Sequence, residues 1–162
     1  MTGIIRPFRT DDAEAMAVLT GAAIRGIGSR AYAPAQVAAW NARHPGPERF
    51  LASAAKGDTI LVAVNAADLP TAYALLEPDG HLDMLYCHPD YAGQGYAGKL
   101  LAMAENRARA SGTTRLFTEA SELARPVFAR AGFRVVQRRD FTIPHAGADV
   151  AIHNYAMEKV LD

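Results

Sequence analysis

Gly93, Gly95 and Gly98 fall within six residues, directly after the apolar run Leu82-Asp83-Met84-Leu85-Tyr86-Cys87 and directly before an amphipathic one. A strand that feeds such a turn, and a turn that opens a helix, together make an anion site. The first amides of a helix have no partner within the helix, and its dipole favours negative charge at that end. Glycine removes the side chains that would hold a phosphate away from those amides. No Gly-Lys-Ser/Thr follows, so this is not a nucleotide P-loop. The glycine spacing and the later ribose-binding acid of a dinucleotide fold are missing as well. Taken alone, the turn from Ala92 to Lys99 reads as a phosphate-binding helix start.

The elements around it follow from pattern. Ile4 to Phe8 reads as a short strand, with Pro7 at its end or at an edge. Thr10 can cap a helix that begins with Asp11, Asp12 and Glu14 and carries Met16, Leu19, Ala23 and Ile24 on one stripe. Gly26 to Ser29 breaks that helix, and Pro34 opens a second to about Asn41. The run His44-Pro45-Gly46-Pro47 marks a loop. Three short strands, Thr59–Val64, Ala72–Leu76 and Leu82–Cys87, are punctuated by polar turns and read as an antiparallel meander. After the glycines, Ala97, Leu101, Ala104 and Ala108 recur with helical spacing up to Gly112. Then come a strand at Leu116 to Thr118, a helix from Glu122 to Ala131, and strands at Phe133–Ile143 and Ala151–Met157. Strands followed by alternating helix and strand predict one mixed α/β sheet in one domain over 1–162.

The segment His88-Pro89-Asp90-Tyr91-Ala92-Gly93-Gln94-Gly95-Tyr96-Ala97 resembles the acetyl-CoA pyrophosphate loop of the GNAT superfamily of N-acetyltransferases, Arg/Gln-x-x-Gly-x-Gly/Ala. Ala92 stands where Arg or Gln is usual, so one side-chain contact is lost while the backbone amides of Gly93 to Gly98 remain. Downstream, Ala120-Ser121-Glu122-Leu123-Ala124-Arg125-Pro126-Val127-Phe128 to Phe133 is similar to the superfamily's second block. The resemblance implies that Ser121 faces the pantetheine arm, and that Leu85, Tyr86, Cys87 and Lys99 flank the cofactor. It puts Phe128 where a Tyr usually serves as general acid, and Phe has no proton to give. The ending from Ile152 to Lys159 resembles the YafP-like branch. The implied fold is α/β (α+β), a central mixed, mostly antiparallel twisted sheet flanked by about four helices. The implied activity is direct acetyl transfer from acetyl-CoA, without metal, to an amine of a small molecule or peptide. A CoA-binding regulatory or sensor module with weakened catalysis is the alternative that Ala92 and Phe128 favour.

An alkyl amine is mostly protonated near neutral pH, so a base or a water relay must remove a proton before attack. Asp83 matches the acid that the superfamily often places before the loop. Strict alternation would put Asp83, Leu85 and Cys87 on one face and Leu82, Met84 and Tyr86 on the other. Asp83 equally reads as a strand acid paired with a nearby Arg. His81 is a second base candidate by its ordinary pKa, or an exposed turn residue beside Gly80. The backbone amide after Met84 or Leu85 could polarise the thioester carbonyl. Tyr32, Trp40 and His153 are candidate acceptor-pocket residues, with Arg25, Gln36 and Tyr155 nearby in pattern, although core packing would also explain them.

Composition narrows the partners. Lys plus Arg and Asp plus Glu are 17 each, for a net charge of zero, so no basic footprint for nucleic acid is present. Cys87 is the single cysteine, which excludes an intrachain disulfide and fits a reducing compartment. No stretch approaches the roughly 20 apolar residues of a membrane span. The expectation is a cytoplasmic protein with no membrane or nucleic-acid partner. The resemblance adds homodimers as frequent, but no interface is readable.

Overall fold

The middle of the chain alternates between two buried faces, and this folds it as a meander. In the computed structural model, which describes residues 3–44 and 46–162, β1 (Ile4–Pro7), β2 (Thr59–Val64), β3 (Pro70–Leu76) and β4 (Leu82–Cys87) pair antiparallel in that order. Met1, Thr2 and Pro45, the last within the loop expected over 44–47, lie outside the described residues. Pro7 closes β1 opposite Leu61, where a residue without a ladder donor is tolerated. A second antiparallel sheet is built from β5 (Arg115–Ala120), β6 (Arg134–His145) and β7 (Ala148–Val160), in the order β5-β7-β6. The two sheets meet where His81 and Phe117 form a parallel bridge. There the Phe117 N–H donates to the Gly80 carbonyl at 3.1 Å and Thr118 Oγ1 donates to the Leu82 carbonyl at 2.8 Å. Past this point β4 and β5 exchange no ladder bonds among the described residues, so the strands fork.

Among the described residues, five helices flank the sheets: α1 (Ala13–Gly26), α2 (Pro34–Arg43), α3 (Glu48–Ala55), α4 (Tyr96–Ala110) and α5 (Arg125–Arg130). One face of the first sheet packs Leu61, Ala72 and Ala74 against Leu100, Leu101 and Ala104 of α4. The other packs Val62, Tyr73 and Leu75 against Met16, Leu19 and Phe50. Each fully buried Leu or Phe contributes about 1.5–3 kcal/mol of transfer free energy. This packing fixes α4 on the sheet and so fixes its N-terminus beyond the end of β4. The architecture is the α+β arrangement expected, with mostly antiparallel sheets; no helix among the described residues is long and apolar enough to cross a membrane.

Four local expectations change. Leu75 pairs with Met84 and Leu76 with Leu82, so Asp83 is an extra, bulged residue in β4. The alternation therefore slips: Leu82 packs with Leu85 and Cys87 on the α4 side, while Met84 and Tyr86 pack on the α1 side. The second correction is α3, which the sequence pattern does not announce. Of its eight residues only Phe50 and Ser53 are buried, so no apolar stripe of several turns is visible. Tertiary packing makes it, with Phe50 edge-on to Tyr73 at 5.2 Å between ring centroids. Third, α5 begins at Arg125, not Glu122, because Pro126 in a helix started at Glu122 would sit where a backbone donor is needed. Finally, the cap expected of Thr10 does not form among the described residues: Asp12 is the N-cap residue of α1, makes no side-chain cap bond to it, and turns its carboxylate back to the preceding residues. Its carboxylate accepts from the Arg9 N–H at 2.8 Å and pairs with Arg6, also at 2.8 Å.

Candidate active site

The glycine turn is built as an open cradle. Gly93 and Gly95 have φ of +78° and +85°, a region that favours glycine, and a Cβ placed on either, or on Gly98, would meet nothing within 4 Å. Among the described residues, the first amide of α4 to bond back is that of Lys99, to the Gly95 carbonyl at 3.2 Å. The amides before it face outward without a backbone partner, at the positive end of a helix of 15 residues. Tyr96 is buried and anchors the turn, whereas Gly93, Gln94, Gly95, Gly98 and Lys99 are exposed. Ala92 is extended, just after the short 3-10 turn Pro89–Tyr91, and its methyl can offer a bound anion no hydrogen bond. The free amides and the unfilled space fit a pyrophosphate.

From the cradle a narrow cavity of about 120 Å³ runs past Ala97 and Cys87 to Leu85 and Ser121. It shares Leu85, Tyr86, Trp40, Ser121 and Ala124 with a larger cavity of about 600 Å³. The fork between β4 and β5 thus joins the two. Ser121 lines both, and its Oγ accepts the Ala124 N–H at 3.1 Å, capping the approach to α5. Burial pushes the Cys87 thiol up to about 11, so it stays protonated and inert near neutral pH. Phe128 is 2% exposed, faces the larger cavity and packs edge-on to Phe133 at 5.0 Å.

Asp83 enters the larger cavity because of its bulge. Arg49 of α3 pairs with it. Burial raises its pKa above the ordinary carboxylate value, while the charges of Arg49 and His81 pull the other way. His81 is differently placed. Nδ1 lies 2.6 Å from Glu77 and Nε2 2.7 Å from Glu119, and its ring stacks on Phe117 at 4.9 Å. The Glu119 bond is the main cause that pushes its pKa up to about 9. An imidazolium has no lone pair left, so His81 cannot take a proton near pH 7; it ties β4 to β5 at the base of the fork.

The far wall of the cavity comes from α2, β6 and β7. Tyr32 Oη donates to the His153 carbonyl at 2.9 Å and accepts from the Glu122 N–H at 2.8 Å. Trp40 stands edge-on to Tyr32 at 5.6 Å. Glu122 collects His153 Nε2 at 2.6 Å, Tyr155 Oη at 2.9 Å and Arg125 at 2.6 Å. The His153 bond first, then Arg125, hold its carboxyl down at about 2. Since a carboxylate only accepts, Nε2 carries the His153 proton. Gln36 bonds outside the cavity, to the Ala151 carbonyl at 2.9 Å, and Arg25 is exposed.

Residues 29–142 match the family described as an acetyltransferase (GNAT) domain. This chain belongs to the GNAT family. It is therefore an N-acetyltransferase with acetyl-CoA as donor. It is similar to the uncharacterized N-acetyltransferase YafP of Escherichia coli K12, 26% identical over 135 residues that cover 83% of each chain. A GCN5-related N-acetyltransferase structure from Rhodopseudomonas palustris is 33% identical, with a TM-score of 0.84, covering 99% of this chain and 97% of that one. The PaiA N-acetyltransferase of Thermoplasma acidophilum, solved with coenzyme A, shares the fold at 17% identity and a TM-score of 0.78, covering 99% of both chains.

Several residues of this GNAT site escape a reading of the sequence. Glu122 organises the far wall, yet it sits in a segment that reads as helix. Arg43, His44 and Arg139 line the cavity from a helix end, a loop and an outer strand. Arg49 belongs to the helix that the pattern misses. The only local signal among them is Pro126, which shortens α5 and leaves Glu122 in the turn before it.

Proposed function

We propose that this GNAT enzyme transfers the acetyl group directly from acetyl-CoA to an amine of a small molecule or peptide in the larger cavity. The observation that carries this reading is continuity: free amides from Gly93 to Gly98, a narrow passage past Cys87 and Leu85, and a fork opening into a cavity of about 600 Å³. The pyrophosphate lies on the amides and the pantetheine arm in the passage beside Ser121. The thioester sits at the fork, where a β4 amide after Met84 or Leu85 polarises its carbonyl. Asp83, or a water held by it, takes the amine proton as nitrogen attacks the thioester carbon. The C–S bond then breaks, and solvent in the cavity protonates the departing thiolate, because Phe128 has no hydroxyl. His81 holds the fork without exchanging protons.

Phe128 and Ala92 also favour a second reading, a CoA-binding sensor that turns over slowly or not at all. Free-thiol release from acetyl-CoA with a panel of amines separates the two. Amine-dependent release above hydrolysis supports the enzyme; tight CoA binding with no release supports the sensor. Absence of CoA binding would refute both.

A further inference from the structure

We propose that the acceptor amine also carries an anionic oxygen group, a carboxylate in the simplest case, held by Arg43 and Arg139 beside Phe141. The proposal rests on the acyltransfer reading above and names the class of acceptor.

The charges around the larger cavity are unevenly compensated. Asp83 has Arg49 and Glu119 has His81. Glu122, just behind the wall, has His153 and Arg125. Arg43 and Arg139 have no carboxylate within ion-pair distance among the described residues. Elsewhere Arg6, Arg115, Arg134 and Arg138 each have an acidic partner, and Arg25, Arg30, Arg107 and Arg130, which have none among the described residues, lie outside the lining of this cavity. Glu119 lies near enough to feel the Arg139 charge, but its oxygen is committed to His81.

Both free guanidiniums converge on one ring. Arg139 lies 5.6 Å and Arg43 6.0 Å from the centroid of Phe141. Arg139 is held there by one bond, from its NH1 to Asn154 Oδ1 at 3.0 Å. Four of its five donors remain available, as do those of Arg43. Neither ring contact neutralises its guanidinium, so an anion that reached both would compensate two charges that have no carboxylate partner among the described residues. The planar fork of arginine suits a carboxylate or phosphate-like group bidentately. The ring contact holds the half-buried Arg139 guanidinium partly out of water, which strengthens that attraction, while Arg43 is exposed and reaches it from the rim.

Position agrees with charge. Arg139 lies on β6, separated from β5 by β7, so its backbone stands two strand spacings, about 10 Å, from the fork strand. A small molecule with an amine at one end and an anionic group at the other spans this distance once the Arg side chains reach inward. A polyamine would instead bring further positive charge to the Arg pair.

The test compares each common amino acid with its carboxamide, which keeps the amine and removes the charge, and adds polyamines to the panel. Acetyl-CoA-dependent thiol release gives kcat/KM for each. The expected result is a preference of at least about tenfold for one or more acids over the matching amides, about 1.4 kcal/mol. Arg139→Gln and Arg43→Gln should each reduce that preference mainly through KM, leave the amide rates alone and leave acetyl-CoA affinity unchanged. Arg107→Gln, on the exposed side of α4, should change nothing. Amides used as well as acids, turnover of polyamines alone, or a preference that survives both Arg substitutions overturns the proposal while the acyltransferase reading stands. No thiol release with any amine, despite CoA binding, removes the acyltransferase reading and this inference with it.

Discussion

The two sides of the fork are made in opposite ways. The side proposed for the donor is backbone: consecutive amides from Gly93 to Gly98, leading into one helix that the sheet core holds in place. The side proposed for the acceptor is side chains: Tyr32 and Trp40 from one region, Arg139 and Phe141 from β6, His153 from β7, and Glu122 from a turn. A site made of backbone should tolerate the change of a contact residue such as the one at Ala92, because the amides persist whatever the side chain. A site made of scattered side chains changes with each substitution, and this suits a fold that keeps one donor while varying the acceptor.

The largest effect should come from breaking the donor side alone. Gly95→Val puts a β-branched residue at φ +85° and its side chain into the anion cradle. Acetyl-CoA affinity measured by calorimetry should fall by about 100-fold or more, roughly 2.7 kcal/mol, with circular dichroism unchanged. An affinity within threefold of wild type would mean that the pyrophosphate lies elsewhere.

Next comes the group between the two sides. Asp83→Asn should lower kcat by about 10²–10³, within the range for a general base, while leaving acetyl-CoA affinity alone. Wild-type activity should fall as pH drops through the raised Asp83 pKa, since the base must be ionised, and the variant should lack that acidic limb. Retention of the limb would assign the proton to another group.

Glu122→Gln tests the acceptor side by itself. Loss of the carboxylate that orders His153 and Tyr155 should raise the acceptor KM by about tenfold, about 1.4 kcal/mol, with no change in acetyl-CoA binding. The Glu122 carboxyl has a depressed folded-state pKa, so its stabilisation is present above its ordinary value near 4.5 and is lost as pH falls toward about 2. The acid-side slope of Tm should therefore flatten in the variant. Equal losses of donor and acceptor binding would show that the two sides are not separable.

The smallest effect concerns the hinge of the fork. His81 has a raised folded-state pKa, so its stabilisation is full below about 6.5 and is lost as pH rises through about 9. Tm should decline over that window by a few degrees, and His81→Gln should remove the decline. An unchanged slope would leave the fork held by the Phe117–Gly80 and Thr118–Leu82 bonds.

The strand, turn and helix proposed to hold the donor were legible because they are local. Strand, turn and helix are contiguous, and the glycines with the amphipathic run after them carry their geometry in consecutive residues. The same locality made the meander readable from Thr59 to Cys87. Where one residue disturbs a local rule, the reading slipped: the bulge at Asp83 moved Leu82 onto the face of Leu85 and Cys87, and Pro126 released Glu122 from the expected helix. Alternation assumes an unbroken ladder, and a bulge is set by the partner strand, not by β4 itself.

By itself, then, the sequence determined the glycine turn between β4 and α4, the order of the strands and of every helix but α3, and the family to which they belong, because each rests on neighbours along the chain. Tertiary structure alone decided that Arg49 pairs with Asp83, that His81 is locked between two carboxylates, and that Arg43 and Arg139 share one ring. Those contacts join residues 34 (Arg49–Asp83), 38 (His81–Glu119) and 98 (Arg43–Phe141) positions apart, and their partners are selected by how α2, α3 and the second sheet pack around the fork. Charge and burial act through space, so the chemistry of the acceptor side exists only once the chain has closed upon itself.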